Sequence, residues 1–243
     1  MTPAPLAQVL DADARRLEGS SIAWSSYREK RRADFLVATV AELASGSELL
    51  DAGCGNGHVS ERLARHGCAV TALDLSEVRL ATMAGTATQL GGRLSVVQGS
   101  VGAMPFPERS FDIVVCSEVL EHVVSPPAVV GEVHRVLRNG GYAVITVPNS
   151  ERVIWETCIH CGEPTPHSGH VRSLDAVELA NLIHDAGLNI VRMEGLGCRV
   201  TLKPPGWRLT QRLQFRDWRR LDRLVIRVFP AEWLVAVARR PEE

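Results

Sequence analysis

The chain has 243 residues, 45% of them apolar, and a formal net charge of −1. That length suits one decorated domain, the apolar content excludes general disorder, and the near-neutral balance excludes nucleic acid or membrane as an obligate electrostatic partner. The N-terminus carries no signal-like apolar run, and no stretch of about 18 uncharged apolar residues occurs, so a cytoplasmic location with reduced thiols is expected for the six cysteines.

Residues 1–46 read as a helical cap, with Phe35, Leu36, Val40 and Leu43 recurring at helix spacing. From residue 47 short apolar runs alternate with amphipathic stretches. Strands are expected at 48–52, 69–75, 94–98, 112–117 and 142–147, and helices at 58–66, 76–90 and 126–138. Asn139-Gly140-Gly141 reads as the stop of the last of these helices. A further helix at 174–187 and strands at 188–194 and 233–238 bring the strand count to seven. The domain (47–239) is interrupted by two stretches that read as insertions. One, at 149–172, is rich in Cys, His and Pro; the other, at 197–230, is rich in Arg and Trp.

The sharpest motif is Leu49-Leu50-Asp51-Ala52-Gly53-Cys54-Gly55-Asn56-Gly57, a buried strand feeding a glycine turn and a helix start. Glycines let the backbone turn tightly and approach a ligand, and the helix start offers unpaired N–H groups. The Gly-x-Gly-x-Gly spacing differs from the Gly-x-Gly-x-x-Gly of dinucleotide folds, which disfavours an NAD oxidoreductase. Asp51 sits where a ligand ammonium would need a counter-charge. Asp74, about 20 positions past the turn, is placed either to accept both ribose hydroxyls or to cap the next helix.

With these residues, Phe111-Asp112-Ile113-Val114-Val115-Cys116-Ser117, Leu120-Glu121-His122-Val123 and Leu137-Arg138-Asn139-Gly140-Gly141, the sequence resembles the class I S-adenosylmethionine-dependent methyltransferases. It is most similar in flavour to the group that includes ubiquinone and menaquinone biosynthesis enzymes. The resemblance is specific over 47–148 and loose over 173–239. It implies an α/β, Rossmann-like, doubly wound sheet of seven strands, mostly parallel with a reversed last strand and helices on both faces. It further implies S-adenosyl-L-methionine across the carboxyl ends of strands one, two and four. By position, Gly53, Cys54 and Gly55 should pack against the methionine part and Asp74 should hold the ribose. Leu75 should flank the adenine, Ser100 or the Val101 backbone should contact it, and Cys116 and Ser117 should line the floor near the sulfonium.

Two clusters are candidates for the chemistry. Glu118, Glu121 and His122 would share one point if they form a helical turn. They then suit either a divalent ion such as Mg²⁺ or a general base at His122; the same Glu-x-x-Glu-His resembles a metal site of quinone and RNA 2′-O-methyltransferases. Cys158, Cys161, His167 and His170 carry the pair spacings of tetrahedral Zn²⁺, and His170 is equally a candidate for the acceptor pocket. The basic stretch at 207–228 reads either as a lid or dimer helix with solvated charges or as a peripheral membrane contact. The expected activity is methyl transfer to an O or N atom of a small molecule, in a monomer or homodimer. The alternatives are an RNA or membrane-held lipid or quinone acceptor, and a zinc-stabilised non-catalytic module.

Overall fold

The computed structural model describes residues 25–43, 47–157, 162–166, 169–202 and 206–242. Helix α1 (Ser25–Leu43) leads into β1 (Glu48–Ala52), α2 (His58–Arg65), β2 (Ala69–Asp74), α3 (Glu77–Gln89) and β3 (Leu94–Gln98). Then come β4 (Phe111–Ser117), α4 (Pro126–Val136), β5 (Leu137–Pro148) and a hairpin of β6 (Trp155–Thr157) with β7 (Pro164–Pro166). The chain closes with α5 (Ala176–Asp185), β8 (Asn189–Cys198), the short helices α6 (Arg199–Leu202) and α7 (Gly206–Thr210), α8 (Phe215–Val225) and β9 (Ala231–Arg239).

Seven strands form one sheet in the order β3-β2-β1-β4-β5-β9-β8. The first five are parallel, and β9 runs antiparallel to both β5 and β8. The strands are continuously apolar because both faces are covered. Leu50, Val114, Ile145 and Ala236 face a core built with α4 and α5, while Leu49, Ile113, Val144 and Val235 face one built with α1, α2 and Trp218. No described helix is long and apolar enough to cross a membrane.

Three expectations need correction. Helix α4 ends at Val136, and Asn139-Gly140-Gly141 lies inside β5 instead of stopping the helix. Leu137 turns extended and pairs with Phe111, after which Tyr142 pairs with Ile113 across a register shift. Gly140 has φ 73, and a Cβ at Gly141 would meet the Asp112 carbonyl at 2.9 Å, so the glycines permit a bulge. Strand β8 runs on to Cys198, beyond the expected 194, because it pairs with β9 to its end at Ala231. The 207–228 stretch is broken into helices with Trp218, Arg219 and Asp222 turned inward, so its polar groups are not all solvated.

Candidate active site

The order β3-β2-β1-β4 reverses direction between β1 and β4, and a crevice opens at the carboxyl ends there. The glycine turn sits at its centre. Gly53, Gly55 and Gly57 all have positive φ, at 80°, 56° and 75°. The Gly53 and Cys54 amides both donate to the Leu73 carbonyl, at 2.7 and 2.9 Å. A Cβ on Gly53 would lie 2.5 Å from Val119 Cγ2, so the backbone here has no room for a side chain.

Asp74 is buried, and its Oδ2 accepts the Gly55 amide at 2.8 Å while Oδ1 accepts the Ser76 amide at 2.9 Å. The cap of α3 is Ser76, whose Oγ accepts the Arg79 amide at 3.3 Å. Asp74 is thereby not the helix cap, and its remaining lone pairs face the crevice.

A cavity of about 530 Å³ fills the crevice. Gly53, Asp74, Leu75, Ser100 and Val101 line it, as do Glu118 and His122. Asp51, Cys54, Gly55 and Cys116 are not among the lining residues. Asp51 lies beneath the turn and accepts the Ser60 hydroxyl at 2.5 Å; burial lifts its pKa to about 6 despite that bond. Cys116 is fully buried in the α4–α5 core, and burial pushes its thiol up. The Cys54 thiol, 3.8 Å from Met83 Sδ, is raised likewise by burial. Ser117 Oγ bonds Thr146 Oγ1 at 2.8 Å. Sequence reasoning missed Arg79, Val119 and Gly169, all of which line the cavity. Arg79 stands five residues after Asp74, in the first turn of α3.

Residues 118–122 are not a helical turn. Glu118 has φ 57, and a tight turn follows in which the His122 amide donates to the Val119 carbonyl at 3.0 Å. The carboxylate of Glu118 is drawn toward β5 and β9. It accepts Thr146 Oγ1 at 3.0 Å and Trp233 Nε1 at 2.8 Å, and pairs with Arg32 Nη1 at 3.1 Å. Arg28 and Arg32, one turn apart on α1, both lie over the Trp233 ring, and Arg28 pairs with Glu232.

Glu121 points the other way. It is 2% exposed, and neither carboxylate oxygen has a hydrogen-bond partner. Burial, then the charge of Glu118, raises its pKa well above the carboxylate range. Beside it stand His122 and His170, their rings T-shaped with centroids 4.7 Å apart. The His122 Nδ1–H donates to the Gly169 carbonyl at 3.1 Å, and the His170 Nδ1–H donates to Glu151 at 2.6 Å. Each ring therefore keeps Nε2 as its lone-pair nitrogen. Burial lowers the His122 pKa to about 4.

The 169–172 segment delivers His170 because the Val171 amide donates to the Glu121 carbonyl and Arg172 donates to the carbonyls of Val123 and Val124. One potential ligand atom from each of Glu121, His122 and His170 falls within 4.8 Å of the others, and Glu118 is outside that group. Cys158, Cys161 and His167 lie outside the described residues.

In the basic stretch, Arg219 bonds Glu194 at 2.6 Å and the buried Asp222 at 2.7 Å. Asp222 also accepts the Gly197 amide and the Thr201 hydroxyl, which fixes α8 against β8.

Residues 50–145 match the family model described as a methyltransferase domain. The chain is 32% identical over 66% of its length to a "Probable S-adenosylmethionine-dependent methyltransferase" of Mycolicibacterium smegmatis, and spans 59% of that protein. It is 30% identical to a ubiquinone biosynthesis O-methyltransferase of Xylella fastidiosa, covering 68% of this chain and 69% of the relative. Among solved structures it is similar in fold to the 1,6-didemethyltoxoflavin-N1-methyltransferase of Burkholderia thailandensis with bound S-adenosylhomocysteine. The TM-score there is 0.67 at 22% identity, covering 97% of this chain and 89% of that one.

Proposed function

Because the chain belongs to the class I S-adenosylmethionine-dependent methyltransferases, we propose that it transfers a methyl group to an oxygen or nitrogen of a small molecule seated over His122. The observation that carries this reading is one continuous cavity joining Gly53 and Asp74 at one side to His122 and Gly169 at the other. The first set suits the cofactor: glycines of the turn at its methionine part, Asp74 at the ribose, Leu75 and Ser100 or Val101 at the adenine. The second set suits the acceptor.

Methyl transfer from a sulfonium is a direct displacement, so holding the attacking atom in line supplies most of the acceleration. The aliphatic walls exclude water and the His122 imidazole approaches the acceptor, with His170 packed behind it outside the lining. Glu118, held by Arg32, Trp233 and Thr146, fixes the mouth of β4 beside the transferred methyl group.

The donor set at the acceptor end fits a divalent cation. A buried carboxylate with both oxygens unpartnered, beside two imidazoles with free Nε2, is costly without a counter-charge. Glu121, His122 and His170 would hold the ion, and a bound ion would orient an acceptor hydroxyl and lower its pKa. Glu151 keeps His170 in the tautomer that reading needs.

The test is calorimetry with S-adenosylhomocysteine, followed by transfer of labelled methyl from S-adenosylmethionine to panels of phenols, alcohols and amines. Micromolar binding with turnover on one panel is expected. Absence of S-adenosylhomocysteine binding would overturn the reading.

A further inference from the structure

Helix α8 (Phe215–Val225) has three faces, and a further turn carries them to Phe229, whose amide donates to the Val225 carbonyl at 3.0 Å. Trp218, Arg219 and Asp222 form the inward face. Arg216, Arg220, Arg223 and Arg227 recur at i, i+4, i+7 and i+11, which sets four exposed arginines in one row. Leu221, Leu224 and Val228 recur at i, i+3 and i+7 and form a second exposed row beside it. Leu224 is 60% and Val228 78% exposed, and the exposed Phe229 extends that row.

The charge of this surface is one-sided. Arg208 and Arg212, also exposed, precede the helix, and the one exposed acid between residues 208 and 229 is Asp217. Asp217 and Glu194 reach the arginine row only at 3.8 Å, to Arg220 and Arg223. The whole chain has a net charge of −1, so the positive charge gathers here while the rest is acidic on balance. Asp222 fixes the helix by accepting the Gly197 amide at 2.9 Å and the Thr201 hydroxyl at 3.1 Å, at the carboxyl end of β8. Pairing makes β8 parallel to β4, so α8 stands at the end of the sheet where the cavity opens.

An exposed aliphatic row is unfavourable in water, and like charges in a row repel one another. An anionic bilayer relieves both. Its phosphates accept charge-assisted bonds from the guanidinium forks, and the boundary between headgroups and acyl chains takes the aliphatic row. A second copy packed on this face by two-fold symmetry would set arginine against arginine. Single-stranded nucleic acid would match the charge, but it is gripped by stacking bases on aromatic rings. Among the described residues this face offers one exposed ring, Phe229.

We propose that α8 docks the protein on an anionic lipid surface, with its arginine row on the headgroup phosphates and Leu221, Leu224 and Val228 in the interface. The proposal concerns attachment and is independent of the acceptor that the cavity takes.

The experiment sediments the full chain with vesicles of phosphatidylcholine alone, and of phosphatidylcholine and phosphatidylglycerol in equal parts. The wild type is expected to bind the mixed vesicles at least about tenfold more tightly, and to lose that binding as salt rises. Arg216→Gln, Arg220→Gln and Arg227→Gln together should weaken it at least about tenfold, since each arginine near such a surface contributes roughly fivefold. Leu224→Ser with Val228→Ser leaves the charge unchanged and should also weaken it about tenfold or more. Wild-type near-ultraviolet circular dichroism in both variants would show that α8 still packs through Trp218. Equal binding to the two kinds of vesicle, or none to the mixed ones, overturns the proposal. Undiminished binding by the Leu224→Ser, Val228→Ser protein overturns it too, because charge alone would then account for attachment. Binding of poly(U) in preference to vesicles gives the arginine row to RNA, and a dimer that dissociates on Leu224→Ser gives the apolar row to a second copy. Either result overturns the proposal as well.

Discussion

The Gly55 amide donates to Asp74 Oδ2 at 2.8 Å, tying the glycine turn after β1 to the acid that ends β2. One carboxylate thereby holds the turn and faces the cavity. Asp74→Ala should lose the proposed ribose contact and loosen the turn together. The expected cost is about 2–4 kcal/mol of S-adenosylhomocysteine affinity, read by calorimetry. An unchanged dissociation constant would remove Asp74 from the ribose.

Glu121, His122 and His170 converge while Glu118 turns away. Titration of the protein with Mn²⁺, followed by electron paramagnetic resonance, should show a bound ion in the wild type and in Glu118→Gln. Glu121→Gln and His170→Ala should abolish it. Glu151→Gln, which leaves His170 without its carboxylate, should weaken it by about 10–100-fold. A wild type that leaves all the Mn²⁺ free would reduce this cluster to its two imidazoles.

Asp51 has its pKa raised to about 6 by burial, against 3.8 when unperturbed. The folded chain binds this proton more tightly than the unfolded chain does. Its contribution to stability is complete below about pH 4 and is lost as pH rises through 6. Asn, which can still accept the Ser60 hydroxyl, escapes that loss. Asp51→Asn should therefore match the wild type near pH 4 and exceed it by up to about 3 kcal/mol at pH 7. Urea unfolding of the ligand-free protein at both pH values checks the sign; a wild type more stable than the variant at pH 7 refutes it.

Trp233 donates to Glu118 and is covered by Arg28 and Arg32 from α1. Trp233→Phe keeps the ring but removes the donor, at a cost of about 1.5–3 kcal/mol for a bond to a charged acceptor. Because Arg32 shares the same carboxylate, Arg32→Ala and Trp233→Phe should combine non-additively in urea unfolding. Strict additivity would mean that α1 docks independently of Glu118.

How much of this was legible beforehand depended on how local each signal is. Strand and helix identities at β1, β2, β3 and α3 were readable because periodicity and glycine chemistry act within a few residues. The role of the 139–141 glycines was misread because helix stop and bulge use the same residues. Only pairing of Leu137 with Phe111 and of Tyr142 with Ile113 decides between them.

At the site, the sequence alone determined the glycine turn, the acid after β2 and the Glu-x-x-Glu-His run, since each is a short motif with its own backbone chemistry. Tertiary structure decided which side chains meet. The left-handed φ of Glu118 sends its carboxylate to Trp233 and Arg32, residues 115 and 86 positions away in the sequence. Glu121 is left beside His122 and His170, the latter carried in by the Val171 and Arg172 backbone clamps. Packing likewise buries Asp51 and Cys116 outside the cavity lining and leaves Arg79 within it. Motif spacing fixes what a residue is able to do; long-range packing fixes which partner is within reach, and no local pattern records that.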